Sequence, residues 1–214
     1  MDFLPKIIDD YACKHTQKEN DVLAELNRET WSKVLIPRML SGHLQGRLLS
    51  MFSKMIKPKN ILEIGTYTGY SAICLSEGLV PQGRLFTIDI NEELEAMAST
   101  YFEKAGIKNQ VVAFIGDALE IIPTLDQSFD LVFIDADKEN YSRYFDLVID
   151  KMPIGGFIIA DNVLWSGKVT QKLNDKDYET KALIEFNTKI QESERVENLL
   201  MPIRDGLMIC KKIK

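Results

Sequence analysis

Cysteine is scarce in this chain: three residues, Cys13, Cys74 and Cys210, among 214. An odd number with no close pairing builds no disulfide framework and suits a reducing compartment, so a cytoplasmic protein is expected. Long apolar runs are missing, and none approaches the roughly 18 residues that a membrane span needs. The opening Met-Asp-Phe-Leu-Pro-Lys lacks the basic-then-apolar layout of a signal peptide. Positive charge is in deficit, with 26 Lys and Arg against 32 Asp and Glu for a net charge of −6. That balance argues against a broad nucleic-acid surface and fits solubility or cationic ligands. Internal repeats and low-complexity segments are absent. What remains, 45% apolar and 27% charged residues, is ordinary for a globular chain. At this length residues 1–214 read as one domain, with 1–57 as an N-terminal helical extension.

The most informative stretch is Asn60 to Tyr70, Asn-Ile-Leu-Glu-Ile-Gly-Thr-Tyr-Thr-Gly-Tyr. It predicts a short apolar strand, a turn bracketed by Gly65 and Gly69, and a helix through Ser71, Ala72, Ile73 and Leu75. Strand, glycine turn and helix in that order form a nucleotide-cofactor crevice at the carboxyl end of a first strand. The spacing is Gly-x-x-x-Gly rather than the dinucleotide Gly-x-Gly-x-x-Gly, and the acid Glu63 stands just before the turn. A carboxylate there repels a pyrophosphate but suits an adenosyl ligand bearing an ammonium and a sulfonium, as S-adenosylmethionine (SAM) does. The alternative is an ordinary strand-to-helix turn.

Upstream, residues 1 to 30 carry scattered apolar positions (Leu4, Ile7, Ile8, Val22, Leu23, Leu26), a pattern for one or two amphipathic helices. They would cover the active site or form a subunit contact. Gly42 to Ile56 reads as a helix that Pro58 stops. Downstream, strands are expected at Leu85–Asp89, Val111–Ile115, Phe129–Ile134 and Gly156–Ala160. Helices are expected at Glu92–Ala105, after Ala118 up to Pro123, at Tyr141–Lys151 and at Lys181–Ser193. This alternation predicts a doubly wound parallel sheet with helices on both faces. Val196–Pro202 and Leu207–Lys212 around Asp205-Gly206 predict a closing hairpin, antiparallel at the sheet edge.

Every predicted strand of the parallel set has an acid at or just beyond its carboxyl end: Glu63, Asp89, Asp117, Asp135 with Asp137, and Asp161 beside Asn162. Ligands of such sheets bind on that rim. Asp89 is placed to accept from ribose hydroxyls or to cap a helix, and Asp117 with Ala118 to lie near an adenine. Asp135, Asp161 and Asn162 would bring two carboxylates and an amide oxygen to one point. With no Cys or His nearby, that set selects Mg²⁺, Mn²⁺ or Ca²⁺ over zinc. The competing assignment makes Asp161 and Asn162 simple turn or cap residues. Lys138, three positions after Asp135, is either a general base beside that cation or a solvated loop lysine.

These residues resemble the cation-dependent, SAM-dependent O-methyltransferases of the caffeoyl-CoA and catechol type. The likeness covers the chain from about Met39 on. Its motifs are Glu-Ile-Gly-Thr-Tyr-Thr-Gly-Tyr-Ser (63–71), Ile-Asp-Ile-Asn (88–91), Phe-Ile-Asp-Ala-Asp-Lys-Glu-Asn-Tyr (133–141), Asp-Asn-Val-Leu-Trp-Ser-Gly (161–167) and the segment around Pro-Ile-Arg-Asp-Gly-Leu (202–207). The resemblance implies a Rossmann-like class I fold with a mostly parallel seven-stranded sheet, an antiparallel C-terminal edge hairpin, and a homodimer. It implies that Glu63, Gly65, Thr66, Tyr67 and Ser71 hold the methionyl part of SAM, with Met39 and Ser41 closing over it. Asp89 would take the ribose, and Asp117 and Ala118 the adenine. Asp135, Asp161 and Asn162 would bind the metal, Asp135 also facing SAM and sharing the catalytic role with the base Lys138. Trp165 and Arg204 would border the acceptor pocket. The acceptor is expected to be a catechol-like or phenylpropanoid small molecule. Some bacterial members instead methylate 5-hydroxyuridine in tRNA, and Lys6, Lys14, Lys18, Arg28, Lys33 and Arg38 would suit RNA. Asp9, Asp10, Glu19, Asp21 and Glu25 among them favour a mixed solvated face. Two other classes share some of these features: an NAD-dependent oxidoreductase, and a SAM-binding protein without catalysis.

Overall fold

The computed structural model describes residues 5–214; Leu4, counted above among the apolar positions of the first helices, lies outside them. The chain opens with α1 (Lys6–Lys14), α2 (Asp21–Lys33) and α3 (Gly42–Ile56), so the N-terminal segment holds two helices before Pro37. Then follow β1 (Asn60–Ile64), α4 (Tyr70–Ser76), β2 (Arg84–Asp89), α5 (Glu95–Lys104), β3 (Val111–Ile115), α6 (Ala118–Thr124), β4 (Leu131–Ile134), α7 (Tyr141–Ile149), β5 (Phe157–Ala160), α8 (Tyr178–Glu192), β6 (Val196–Met201) and β7 (Leu207–Lys212).

The seven strands form one sheet in the order β3-β2-β1-β4-β5-β7-β6. The pairs β2–β3, β1–β2, β1–β4 and β4–β5 are parallel, whereas β7 runs antiparallel to both β5 and β6. The C-terminal hairpin is therefore at the edge as expected, with its second strand inserted next to β5 and its first outermost. Reversal of β7 puts the β6–β7 turn on the same rim as the carboxyl ends of the parallel strands. There Gly206 O accepts from Val163 N and Asp205 O from Leu164 N.

Side-chain parity sorts the sheet into two apolar layers. Leu62, Ile64, Phe86, Ile88, Val132, Ile134, Ile158 and Ala160 pack on one face with α6, α7 and α8. Ile61, Leu85, Leu131, Phe133 and Ile159 pack on the other with α2, α3, α4 and α5. β4, Leu-Val-Phe-Ile, is buried along its whole length, as a strand covered on both faces must be.

Several boundaries differ from expectation: β2 begins at Arg84, α7 ends at Ile149, β5 begins at Phe157, α8 runs Tyr178–Glu192 and β6 ends at Met201, and three more stand out. A 3-10 turn at Glu92–Leu94, capped by the Asn91 side chain accepting from Glu93 N, precedes α5. Pro123 sits inside the last turn of α6 instead of ending it, since only its missing N–H and ring need room there. β4 starts at Leu131; just before it Asp130 N donates to Asn60 O, and the Asp130 carboxylate accepts from Lys59 N and Asn60 N.

α3 docks on α4 through a close backbone approach and an ionic clasp. A Cβ on Gly46 would lie 2.5 Å from Tyr70 Cε1, so only glycine fits there. Arg47, Ser50 and Lys54 share one face of α3, and all donate to Glu77 at the end of α4, at 2.7 Å for the shortest contact of each. Partial burial works against the Glu77 carboxylate, but these donors hold its pKa down at about 2. A folded value below the unfolded 4.5 stabilises the protein fully above pH 4.5, and that contribution is lost as pH falls toward 2. Glu77→Ala is expected to lower stability by about 2 kcal/mol at pH 7 in urea titrations, since it strands Arg47. The gap to wild type should narrow steadily below pH 4.5; a gap independent of pH would show that the clasp is not ionic.

Candidate active site

Parity also aligns the acids. Glu63, Asp89, Asp135 and Asp161 stand an even number of residues from Ile61, Leu85, Phe133 and Ile159, so they continue the α3–α4 face of the sheet. The hydrogen-bond ladder runs past the strand ends, with Gly65 N donating to Ile88 O, Asp135 N to Ile64 O and Asp161 N to Ile134 O (2.8–2.9 Å). Those extra rungs bring the tips of β1, β4 and β5 into line.

Gly65 sits at φ +104°, and a Cβ there would lie 2.0 Å from the Asp135 carbonyl oxygen. The turn after β1 is thus pressed against the end of β4, which explains its glycine on two counts. Gly69, at φ +90°, opens α4. Between them Tyr67 adopts φ +49°, and its N–H donates to Asp89 Oδ2 at 2.6 Å. Asp89 Oδ1 accepts from Asn91 N at 2.8 Å. The carboxylate is therefore fixed by two backbone donors and leaves the capping work to Asn91.

Glu63 is fully buried. Its register partner Thr87 donates to Oε2 at 2.6 Å, and Thr87 in turn shares a 2.5 Å hydrogen bond with Thr66. Oε1 has no hydrogen-bond partner among the described residues. Burial pushes the Glu63 carboxyl up to about 8; the Ser71 and Thr87 hydroxyls temper the rise, and the Asp89 and Asp135 charges add to it. A buried acid with an unused acceptor oxygen is a receptor for a cationic donor such as a ligand ammonium.

The second cluster lies at the ends of β4 and β5. Lys138 is buried, and its ammonium donates to Asp135 Oδ1 (3.2 Å), Asn162 Oδ1 (2.8 Å) and the Tyr141 hydroxyl (2.6 Å). Asp161, also buried, accepts from Gln45 Nε2 (2.5 Å) and from Asn162 N (2.7 Å). Burial and the Asp135 charge raise the Asp161 pKa, with Gln45, Lys138 and the Asn162 N–H opposing. Among the described residues no three His, Cys, Asp or Glu side chains group as metal ligands. The available donor set is two carboxylates and one amide, with a positive charge already bridging two of the three. An all-oxygen set that accommodates a cation fits a hard divalent ion.

Other predicted residues take varied positions. Ser41 and Ser71 are buried at the starts of α3 and α4, whereas Met39 is 56% exposed on a 3-10 turn. Asp117 caps α6 by accepting from Leu119 N, with Ala118 buried behind it. Trp165 (φ +48°) lies in a left-handed run after β5, its ring 5.7 Å from Lys138 Nζ and its buried indole N–H without a partner among the described residues. Arg204, in the β6–β7 turn, reaches back to Leu40 O at 3.5 Å, next to Met39 and Ser41. Three contributors escaped the sequence reading. Thr87 was recoverable from register with Glu63 and Tyr141 from its spacing to Lys138. Gln45, 116 positions from Asp161, carried no local signal.

The O-methyltransferase family model matches residues 13–213. A caffeoyl-CoA O-methyltransferase of Petroselinum crispum is 34% identical over 207 residues, covering 92% of this chain and 86% of its own. Among solved structures, an SAH-bound methyltransferase of Podospora anserina superposes with a TM-score of 0.89 at 28% identity, over 100% of both chains. The O-methyltransferase TomG of Streptomyces achromogenes, solved with SAM, gives 0.89 and 28% over 97% of this chain and 96% of its own.

Gly65→Ala is expected to lower the melting temperature by about 5 °C or more, from a positive φ and a collision with backbone that cannot swing aside. Circular dichroism melts check this, and a melt unchanged from wild type would mean that the β1–β4 contact is looser than described.

Proposed function

The chain belongs to the O-methyltransferase family, and from that premise we propose that it moves a methyl group from SAM to a hydroxyl of a small acceptor carrying two adjacent oxygens, with the help of a divalent cation. The observation that carries the reading is the placing of Asp135: its backbone touches the glycine turn, and its carboxylate shares a cation with Asn162. Donor pocket and cation site would be one continuous place. The same reading treats residues 1–214 as one methyltransferase domain, with 1–57 as an N-terminal helical extension.

In this assignment the unpaired Glu63 oxygen takes the SAM ammonium, with Gly65, Thr66, Tyr67 and Ser71 lining the methionyl part and Met39 and Ser41 closing over it. Asp89 holds the ribose, and Asp117 and Ala118 border the adenine. Asp135, Asp161 and Asn162 would hold Mg²⁺, or alternatively Mn²⁺ or Ca²⁺, a hard ion that supplies Lewis-acid polarisation of a hydroxyl and an anchor for its neighbour. Gln45 keeps Asp161 oriented toward that point. As the free amine, its ammonium proton having passed to solvent, Lys138 would receive the hydroxyl proton; Trp165 and Arg204 wall the acceptor, and the oxygen takes the methyl as sulfur departs on the far side. Most of the acceleration comes from holding acceptor and donor in line. Three free cysteines agree with a reducing cytoplasm, and no helix among the described residues is long and apolar enough to cross a membrane. A homodimer is the assembly this family reading carries.

Incubation with labelled SAM and a panel of catechol, caffeoyl ester and hypomodified tRNA tests the proposal. Transfer to a catechol or caffeoyl ester should vanish with chelator and return with Mg²⁺ or Mn²⁺. Transfer indifferent to chelation would remove the cation, and labelling of tRNA alone would replace the acceptor. Lys138→Ala should lower kcat by roughly 10²-fold or more, while SAM affinity stays within a few-fold.

A further inference from the structure

The three N–H bonds of the Lys138 ammonium have three acceptors: Asp135 Oδ1, Asn162 Oδ1 and the Tyr141 oxygen. Tyr141 is fully buried, and its hydroxyl hydrogen goes to the Asp161 carbonyl oxygen at 3.0 Å, so a lone pair is left facing the lysine. The Tyr141 and Trp165 rings, at 4.8 and 5.7 Å, complete the surroundings of the charge. Asp161 stays apart, engaged by Gln45 and the Asn162 N–H. The lysine thus lies on two of the three oxygens assigned to the divalent ion. Two cations bridging the same oxygen pair would repel at contact range in a buried site.

We propose that Lys138 is the resident counter-cation of this site: its ammonium and a divalent cation compete for the Asp135 and Asn162 oxygens, and loading of the site displaces the lysine while Tyr141 keeps it tethered. This rests on the cation reading above. It adds that an empty site is partly neutralised by its own lysine, which screens Asp135 from Asp161 when no ion is present. It also couples occupancy to release of Lys138 from two of its three partners, next to where the acceptor hydroxyl would lie.

Mn²⁺ titration followed by electron paramagnetic resonance, with no SAM or acceptor, tests this on wild type and Lys138→Met, with Lys138→Gln as a second variant should Met fail to fold. The variant is expected to bind Mn²⁺ roughly tenfold tighter or more, because a competing unit charge has gone. A crystal structure of the wild-type protein with Mn²⁺ should show Lys138 Nζ off both Asp135 and Asn162 and still on Tyr141. Equal affinities, or a lysine still bonded to both oxygens beside bound Mn²⁺, would overturn this inference and leave the cation site standing. No Mn²⁺ binding by folded wild type and variant alike would remove the cation site and the competition together.

Discussion

Concentrated negative charge at the end of a buried sheet is the constraint to which the rest of this structure answers. Glu63 and Asp161 are almost wholly out of water, and Asp89 and Asp135 lie beside them on the same face. Isolated carboxylates in such a place would be costly. The chain meets the cost in four ways. Backbone N–H groups fix Asp89, a threonine pair serves one oxygen of Glu63, Gln45 reaches from α3 to Asp161, and a buried lysine bridges Asp135 to Asn162. Both rises in carboxyl pKa, at Glu63 and Asp161, lead with burial, so the charge is incompletely compensated by the chain alone. A site in that condition favours cationic ligands.

Strand order explains why the acids meet. β1 is central, flanked by β2 on one side and β4 on the other, so the chain's direction of travel across the sheet switches there. Crevices open at such points because the connections leave on opposite faces. The glycine turn after β1 fills the crevice floor, and its lack of a Cβ lets the end of β4 come against it. Insertion of β7 between β5 and β6 then returns the Arg204 turn to the same rim, where it meets the segment before α3. The N-terminal segment meets the site directly, through Thr30 on Thr68, Ile36 O on the Tyr67 hydroxyl and Glu19 on the Tyr70 hydroxyl, and through α3, which carries Gln45 on one face and the Glu77 clasp on another.

Much of this was legible in sequence because the signals are local. Parallel strands buried on both faces read as unbroken apolar runs, and β3 and β7 fall at their expected bounds. The acids following them were visible as a set. Boundaries went astray by one to three residues at element ends, where regular pairing gives way to turns. Asp117 shows the ambiguity of a single acid: its carboxylate caps α6, a role that spacing alone could not separate from ligand contact.

The sequence by itself determined the α/β order, the glycine turn and which residue types crowd the rim, because hydrophobic period and backbone freedom are properties of short stretches. Only the tertiary structure decided what those residues are to one another. It put four acids on one face by strand parity, brought Gln45 across 116 positions, and seated the Lys138 ammonium between Asp135 and Asn162. Those relations depend on register between strands far apart in the chain and on space left by neighbouring side chains, neither of which a single stretch encodes.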